Sequence, residues 1–462
     1  MDFLNHLVGE INSVLWGVFF LIPLLCGTGI FYTYKLRLVQ VRKFRLATRL
    51  LFGGATLFGK RADKSGMSSF QALATAIAAQ VGTGNVAGTA TAIVSGGPGA
   101  LFWLWVAAFF GMATIFAEAV LAQTFKGRDE QGHVVGGPAY YITKGMGEKW
   151  RPMAIFFSIA IIIALGCIGN MVQSNSISNA MHTAFGVPLL VTGVVTAILS
   201  GIVFFGGVGR IASVTEKIVP FMAAIYIIGG TYVIGCHITE LGDAFALIFK
   251  AAFDPQAVMG GALGLTVAKA MQFGVARGLF SNEAGMGSTP HAHAVAKVEH
   301  PVEQGLVAIF GVFATLVIVT FTGIVILVTG VLDFQTTGIA LTQKAYSVGL
   351  GSLGVGFVAV CLFFFAYSTI IGWYFFAEQN VRFLFSSKAL IPYRVIVCCF
   401  IAAGAVLKVD LVWALADLFN GLMVIPNLIA LIALHKVVVN SLADFEAKLA
   451  TYEKTQQNLA AK

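Results

Sequence analysis

Eleven long apolar stretches constrain the fold of this chain more than any other feature of its sequence. About 20 mostly apolar residues suffice to cross a bilayer, and eleven stretches of the 462-residue chain meet that requirement. A soluble domain is roughly 45–50% apolar and 25% charged, whereas here 58% of the residues are hydrophobic and 11% are charged. The chain is therefore predicted to be an all-α polytopic membrane protein. The predicted crossings lie near 14–34, 68–96, 98–123, 152–184, 187–207, 215–237, 257–288, 304–330, 351–379, 391–407 and 411–437.

The basic residues predict how these crossings are oriented. Of the 29 lysines and arginines, 25 lie in alternate connections and the adjoining helix ends, and three lie on the opposite side. The positive-inside rule then places the N-terminus outside and the C-terminus in the cytoplasm. The net charge of +8 indicates this topology and contact with anionic membrane lipid, not a nucleic-acid partner. We expect a multi-pass protein of the bacterial cytoplasmic (inner) membrane.

Neither cysteines nor histidines indicate a metal site. The six cysteines lie in or beside apolar runs without a C-x-x-C spacing, which argues against a disulfide framework or a zinc centre. His291, His293 and His300 are expected in a solvent-exposed cytoplasmic connection, where no fourth ligand has suitable spacing. No connection is long enough to form a folded domain, so function is expected among the helices.

The strongest local signal is a glycine pair in the middle of the second crossing. Gly82 and Gly84 surround Thr83 and are flanked by the amide side chains of Gln80 and Asn85. Each glycine weakens a helix by about 1 kcal/mol, and backbone that unwinds at this depth is tolerated only where it lines a cavity. The alternative is close helix packing through the G-x-x-x-G spacing that ends at Gly88.

A second glycine cluster, at residues 259–264, lies in the seventh crossing. The two clusters are five crossings apart, and an odd number of crossings inverts the second repeat in the membrane. Paired interruptions of this kind are typical of secondary transporters that bind their substrate near the midplane. The predicted organisation is an extra N-terminal helix with a basic amphipathic segment, two inverted five-helix repeats and a cytoplasmic tail. Their bounds are 1–67, 68–240, 241–440 and 441–462.

Four segments carry a resemblance to a known family. They are residues 80–85 (QVGTGN), 96–100 (GGPGA), 136–141 (GGPAYY) and 274–288 (GVARGLFSNEAGMGS). With them the chain, from about residue 10 to 440, resembles the alanine or glycine:cation symporter family. The resemblance implies the leucine-transporter-type inverted-repeat fold and sodium-coupled uptake of small neutral amino acids, alanine or glycine. It implies no other cofactor and no enzymatic activity.

An amino-acid substrate is a zwitterion, which suggests roles for the interrupted helices. The N–H groups of Gly82, Thr83 and Gly84 would open a half-helix whose positive dipole end favours a carboxylate. The amide oxygen of Gln80 could accept hydrogen bonds from the ammonium group. The family pattern adds the second glycine cluster and a tryptophan, whose alternative role is an anchor at the membrane interface. The predicted substrate-binding residues are Gln80, Gly82, Thr83, Gly84, Asn85, Gly261, Leu263, Gly264 and Trp373.

The resemblance also implies a sodium site between the first interrupted helix and the ninth crossing. Sodium is a hard cation that prefers oxygen ligands, as the hard divalent cations do. The alternative for the hydroxyls of this site is bonding to carbonyls of their own helix. The residues that match the family pattern are Ala78, Val81, Phe365, Ser368 and Thr369.

Ionisable residues inside the crossings are expected to have a task because they are costly to bury. The candidates for an inner gate are Glu118, Arg277, Glu283 and Glu378, which are expected near the cytoplasmic ends and paired with one another. Asp417 is expected to line the pathway or to pair with a neighbour.

Two alternative functions stay open at this point. Lys269, expected about twelve residues into its helix, would suit proton coupling in place of sodium coupling. An ion channel would need a continuous pore, which the paired interruptions argue against. The sequence does not predict the oligomeric state.

Overall fold

A computed structural model describes residues 2–17, 19–52, 66–254, 266–407 and 409–460. Helices account for nearly all of its regular structure, and the strands of these ranges form one antiparallel hairpin, β1 (Gly127–Arg128) with β2 (Val134–Val135). The predicted all-α polytopic fold is confirmed.

The N-terminal part contains four helices before the first undescribed segment. Helix α2 matches the predicted first crossing, and an additional helix, α1, precedes it. The short helices α3 and α4 carry basic residues of the predicted amphipathic segment. The ring centroid of Phe44 in α4 lies 5.2 Å from that of Phe310. The bounds are α1 Asp2–Leu15, α2 Leu21–Lys35, α3 Val39–Arg42 and α4 Phe44–Phe52.

The next part of the chain, up to residue 254, begins with an interrupted helix and continues with long crossings. Its α-helices are α5 Ser69–Gln80, α6 Thr89–Gly96, α7 Ala100–Thr124, α8 Pro138–Tyr141, α9 Arg151–Ile161, α10 Asn170–Phe185, α11 Leu189–Phe205, α12 Gly207–Cys236 and α13 Leu241–Phe253. Three π-helical turns, Gly84–Gly88, Ile142–Met146 and Ile162–Gly169, and two 3-10 turns, Glu148–Trp150 and Ile238–Glu240, lie between them.

The part after the undescribed residues 255–265 is also helical. Its helices are α14 Val267–Asn282, α15 Pro290–Ala294, α16 Pro301–Val328, α17 Gly338–Leu350, α18 Leu353–Phe385, α19 Leu390–Gly404, α20 Val409–Ala433 and α21 His435–Ala460, with a 3-10 turn at Ser387–Ala389.

Seven helical stretches of the described residues are long and apolar enough to cross a membrane. The other four predicted crossings coincide with shorter helices, α2 and α11, or with the interrupted crossings that contain α5 and α14. The seven stretches are Ala100–Thr124, Glu148–Phe185, Gly207–Cys236, Pro301–Val328, Leu353–Phe385, Ser387–Gly404 and Val412–Ala433.

Both interruptions follow from local backbone geometry. Helix α5 begins with a capping box between Ser68 and Gln71 and ends at Gln80, where Val81 leaves helical geometry with φ −98° and ψ 86°. We call residues 81–83 the first interruption. Helix α14 ends at Glu283, whose φ of 57° is left-handed. The second interruption, residues 283–289, separates α14 from α15, whereas the predicted position at 259–264 lies outside the described residues.

Helix α7 is central to the packing because α14 approaches it closely through two glycines. A Cβ atom on Gly274 would overlap the carbonyl oxygen of Ala100 and lie 2.8 Å from Cβ of Trp103. A Cβ atom on Gly278 would lie 3.2 Å from Cγ of Leu104. This spacing of small residues lets two helix backbones pack directly in a membrane.

We expect Gly274→Ala to destabilise the protein by about 1–3 kcal/mol, as overpacking of a close contact does. The measurement is the thermal unfolding midpoint of the purified protein in detergent. Gly235→Ala is the matched control, because nothing lies within 4 Å of that helical position. Equal midpoints for the two variants would contradict the proposed close approach of α14 and α7.

Candidate functional site

Residues that flank the two interruptions meet inside the protein and are joined by hydrogen bonds. The side-chain amide of Gln80 donates to the carbonyl oxygen of Asn282 at 2.6 Å, and that of Asn85 donates to Oγ of Ser281 at 2.7 Å. All four residues are buried. The end of α14 is thus fixed directly on the unwound part of the second crossing.

Side-chain amides satisfy the backbone of the first interruption. The N–H of Gly82 donates to Oδ1 of Asn85 at 3.0 Å, and the N–H of Thr83 donates to Oε1 of Gln173 at 3.3 Å. Both N–H groups therefore face neutral acceptors that an incoming anion can replace. Gly84 lies against Phe280, because a Cβ atom on it would be 3.1 Å from the phenyl ring.

Three polar atoms at this junction have no hydrogen-bond partner in the described part of the chain. They are Oγ1 of Thr83, Oε1 of Gln80 and Nδ2 of Asn282. Buried polar groups are normally satisfied, so unpartnered donors and acceptors beside an interrupted helix are suited to binding a polar ligand.

A cluster of oxygen atoms lies beside the last turn of α5. The hydroxyls of Ser368 and Thr369 lie 3.2 and 3.0 Å from the carbonyl oxygen of Ala78. They lie 2.9 and 3.0 Å from that of Phe365. Four of the five predicted cation ligands are therefore together. The fifth, Val81, is buried in the first interruption. Phe365 belongs to the same helix as Ser368 and Thr369. The hydrogen bonds to its carbonyl therefore also match the alternative role, in which the hydroxyls bond to carbonyls of their own helix.

Trp373 forms one wall of this region. Its indole N–H donates to Oε1 of Glu283 at 2.6 Å, and its ring is 6.4 Å from that of Phe280 in an edge-to-face arrangement. Gly169 leaves the space that the indole fills, since a Cβ atom there would lie 2.7 Å from Cζ3. Trp373 is buried, which is not the exposed position expected of an interfacial anchor.

A cavity of about 390 Å³ borders Phe280 and the π-helical turn Gly84–Gly88, which follows the first interruption. Within it Arg277 and Asp417 form a loose ion pair with 3.8 Å between Nη1 and Oδ1, and their side chains are 25% and 24% exposed. A second cavity of about 230 Å³ shares this pair and is walled on its other side by α1. Lining residues of the larger cavity are Gly84, Ala87, Gly88, Thr91, Asn175, Ser176, Asn179, Arg277, Phe280, Gly338, Ile339, Trp413 and Asp417.

The expected pairing among the gate candidates is not found in the described ranges. Arg277 pairs with Asp417, beside Gly338 in a connection predicted to face outside, so its expected position near the cytoplasmic end is wrong. Glu378 instead pairs with Arg382 at 2.8 Å and with Arg394 at 3.6 Å.

The other two carboxylates are bound by uncharged donors. Glu118 accepts hydrogen bonds from the backbone N–H groups of Gly285 and Gly287. Glu283 accepts from Trp373 and from the hydroxyl of Ser288.

Two of the three histidines are not in the solvent-exposed setting that the sequence suggested. His291 and His293 are buried, and burial lowers the pKa of His291 to about 4 and that of His293 to about 3. Both are therefore neutral near pH 7. His291 bonds to the carbonyl oxygen of Ser288 at 2.6 Å and to Nδ2 of Asn380 at 2.8 Å. No group of three potential metal ligands occurs among the residues that were described.

Lys269 also differs from its expected position. Thr266 caps α14 with its side chain, which accepts from the N–H of Lys269 at 3.2 Å. The lysine is therefore in the first turn of the helix, and it is exposed. It makes no described contact with either interruption.

Sequence reasoning missed the part of the site that the end of α14 supplies. Phe280, Ser281 and Asn282 belong to the segment that carried the family resemblance, yet the glycine cluster at 259–264 was the stronger composition signal. The two glycines that follow, Gly285 and Gly287, were the available sign of an interruption. Three predicted binding residues, Gly261, Leu263 and Gly264, lie outside the described residues.

Comparison with known proteins decides the family. The model of the family described as "Sodium:alanine symporter family" matches residues 1–459. The chain belongs to the sodium:alanine symporter family. It is 42% identical to the sodium/alanine symporter AgcS of Methanococcus maripaludis over 96% of this chain and 98% of that protein. It is 45% identical to the probable sodium/glutamine symporter GlnT of Bacillus subtilis over 96% and 91%.

Other similar proteins agree with a transporter. An uncharacterized transporter of Haemophilus influenzae is 43% identical over 96% of this chain and 97% of its own length. Among solved structures, the Eremococcus coleocola manganese transporter matches with a TM-score of 0.53 at 13% identity, covering 76% of this chain and 74% of that chain. This likeness shows a shared fold. The member of the sodium:alanine symporter family described here is thus a multi-pass membrane transporter.

We expect Gly82→Ala to lower amino-acid uptake by this family member severalfold or more. A Cβ atom on Gly82 would overlap the hydroxyl of Thr369, and overpacking by about 1–3 kcal/mol corresponds to a loss of roughly fivefold to 150-fold in affinity. Gly88→Ala is the matched control in the same segment, because nothing lies within 4 Å of it. The measurement is uptake of labelled amino acids by membrane vesicles that contain each variant. An equal loss of uptake in Gly82→Ala and Gly88→Ala would contradict the steric explanation.

Proposed function

We propose that this protein is a secondary active symporter that couples sodium influx to uptake of small neutral amino acids, alanine and glycine first, by alternating access. The observation that carries the proposal is the junction of the two interruptions beside the oxygen cluster of Ala78, Phe365, Ser368 and Thr369. The same short segment offers N–H groups for an anion, and it lies beside oxygens that suit a cation.

The proposed substrate position follows from the polar groups at this junction. The N–H groups of Gly82 and Thr83 exchange their amide acceptors for the substrate carboxylate, with Gly84 and Asn85 completing that end. The unpartnered Oε1 of Gln80 accepts from the ammonium group. Phe280 and Trp373, whose rings meet edge to face, limit the room for a side chain and favour small substrates.

The proposed cation position needs only a rotation of two hydroxyls. In the described state Ser368 and Thr369 donate to carbonyl oxygens of Ala78 and Phe365. When sodium binds, their lone pairs turn towards the ion, and Ala78, Phe365 and Val81 contribute carbonyls. Oxygen ligands of this kind suit a hard cation.

Sodium coupling is favoured over proton coupling by the position of Lys269. The lysine is exposed in the first turn of α14, so it does not supply a titrating amine at the junction. One relative of this chain, from Bacillus subtilis and 41% identical, is a putative sodium/proton-dependent alanine carrier protein. Proton coupling therefore remains the alternative outcome of the test.

The described conformation fits one step of an alternating-access cycle. With the N-terminus outside, the 390 Å³ cavity faces outwards. The opposite end of α5 is closed, because Met67 is hydrogen-bonded to Val295 at 2.8 Å and Gln71 to Glu216 at 2.9 Å. The proposed cycle opens this second side in a bacterial cytoplasmic membrane.

The test is uptake of labelled alanine into proteoliposomes that contain the purified protein. An inward sodium gradient should drive accumulation above equilibrium, and replacing sodium with choline should abolish it. Accumulation driven by an imposed proton gradient without sodium would overturn sodium coupling. Flux that equilibrates but never accumulates would indicate a channel instead.

We expect Thr369→Ala to lower the apparent sodium affinity roughly tenfold or more, since it removes a ligand whose loss costs on the order of 1–3 kcal/mol. The sodium dependence of initial alanine uptake measures this change. Thr196→Ala is the control, because Thr196 is also buried and bonds the carbonyl of its own helix at 2.8 Å. An unchanged sodium affinity in Thr369→Ala would contradict the cation assignment.

We expect Arg277→Glu to abolish alanine uptake. The change replaces an ion pair in the outward cavity with two facing carboxylates, and like charges repel at this distance. Arg151→Glu is the control for charge reversal, because Arg151 is exposed and forms only a surface pair with Glu148. Uptake at the normal rate in Arg277→Glu would exclude a role for this pair in the pathway.

A further inference from the structure

Glu118 is a buried carboxylate that no described cation contacts. It lies in α7 and is 0% exposed. Its oxygens accept from the N–H groups of Gly285 at 3.2 Å and Gly287 at 3.0 Å, and from the amide of Asn427 at 2.7 Å. A buried charge is costly unless it is paired or fully hydrogen-bonded. Three converging N–H donors meet that need without an arginine or a lysine.

Two of the three donors belong to one tight turn, residues 283–288, which we call the glycine turn. Gly285 and Gly287 have φ angles of +88° and +80°, values that suit glycine. This backbone points two N–H groups at one carboxylate, with one donor for each oxygen. Asn427 also donates to the carbonyl of Gly285 at 2.9 Å, so the turn is fixed to α20 as well as to α7.

The other face of the glycine turn contacts the wall of the proposed substrate site. Glu283 begins the turn and accepts from Trp373 at 2.6 Å. The two residues before it, Ser281 and Asn282, bond to Asn85 and Gln80 of the second crossing. The position of the glycine turn therefore fixes both the junction of the interruptions and the orientation of the indole.

We propose that Glu118 is a positioning residue for substrate binding, which acts by holding the glycine turn against α7. The inference rests on the proposed function, because the site that Glu118 positions is the amino-acid site. Glu118 makes no contact with Gln80, Gly82, Thr83 or Trp373 among its hydrogen bonds in the described chain. Glu118 affects substrate binding through the backbone of the glycine turn, which it holds by hydrogen bonds to Gly285 and Gly287.

Glu118→Gln tests this role with nearly the same side-chain volume. The amide has one acceptor oxygen, and its NH₂ group faces a backbone N–H that it cannot accept from. We expect the KM for alanine uptake to rise roughly tenfold or more, as when a buried charge-assisted hydrogen bond is lost. Alanine and sodium should then no longer raise the unfolding midpoint, although the ligand-free midpoint falls by only a few degrees.

Two further variants separate positioning from general damage. Glu118→Asp keeps the charge and should restore part of the alanine affinity. Glu303→Gln is the matched control, because Glu303 also accepts from backbone N–H groups, at 3.2 and 3.5 Å, but at the start of α16. Its KM should equal that of the wild type. A wild-type KM and a normal ligand-induced shift in Glu118→Gln would overturn the proposal.

Asn427→Ala keeps the proposal testable if Glu118→Gln fails to fold. It removes one donor to Glu118 and the bond to Gly285, so KM should rise in the same direction. Where both variants fold, the rise in KM of the double variant should be smaller than the product of the two single rises, because both substitutions act on the glycine turn. An unchanged KM in Asn427→Ala would also count against the role. Wild-type protein without alanine uptake would instead refute the proposed function.

Discussion

The interrupted helices depend on one requirement: each backbone group freed inside the membrane must find a partner within the protein. An unsatisfied group there costs several kcal/mol. Asn85 and Gln173 accept from the N–H groups of Gly82 and Thr83, and Gln80 donates to the carbonyl of Asn282. Amide side chains suit this task because they donate and accept without carrying charge. They keep the interruptions open, and a charged ligand can displace them.

Charge is distributed differently on the two sides of this junction. On the side predicted to be cytoplasmic, Arg382 bonds Asp129 at 2.5 Å with side chains only 6% and 9% exposed, and it also pairs with Glu378. On the other side, Arg277 and Asp417 are 3.8 Å apart and about a quarter exposed. A tight buried network resists separation more than a loose solvated pair does. This asymmetry agrees with the position of the 390 Å³ cavity, which borders Gly84 and Phe280 on the side of the loose pair.

Much of the fold could be predicted from the length of apolar stretches and from one glycine pair, but the second interruption could not. The first was placed correctly because Gly82 and Gly84 weaken the helix locally. The second begins at Glu283, and its turn depends on Glu118, which is 167 residues away from Gly285 in sequence. The G-x-x-x-G alternative fits only one of its two glycines: a Cβ atom on Gly84 would lie 3.1 Å from the ring of Phe280, whereas nothing lies within 4 Å of a Cβ atom on Gly88. Burial of His291 likewise depends on tertiary neighbours.

Coupling between ion and substrate follows from the shortness of the first interruption. Thr369 bonds the carbonyl of Ala78 at 3.0 Å and leaves no room for a side chain on Gly82. In the proposed mechanism, a cation among these oxygens fixes the end of α5 and with it the N–H groups that face the carboxylate. Each ligand then raises the affinity for the other by the same factor, as linkage requires. No long pathway between the proposed sites is needed, because only three residues lie between Ala78, whose carbonyl is proposed to bind the ion, and Gly82, whose amide is proposed to bind the substrate.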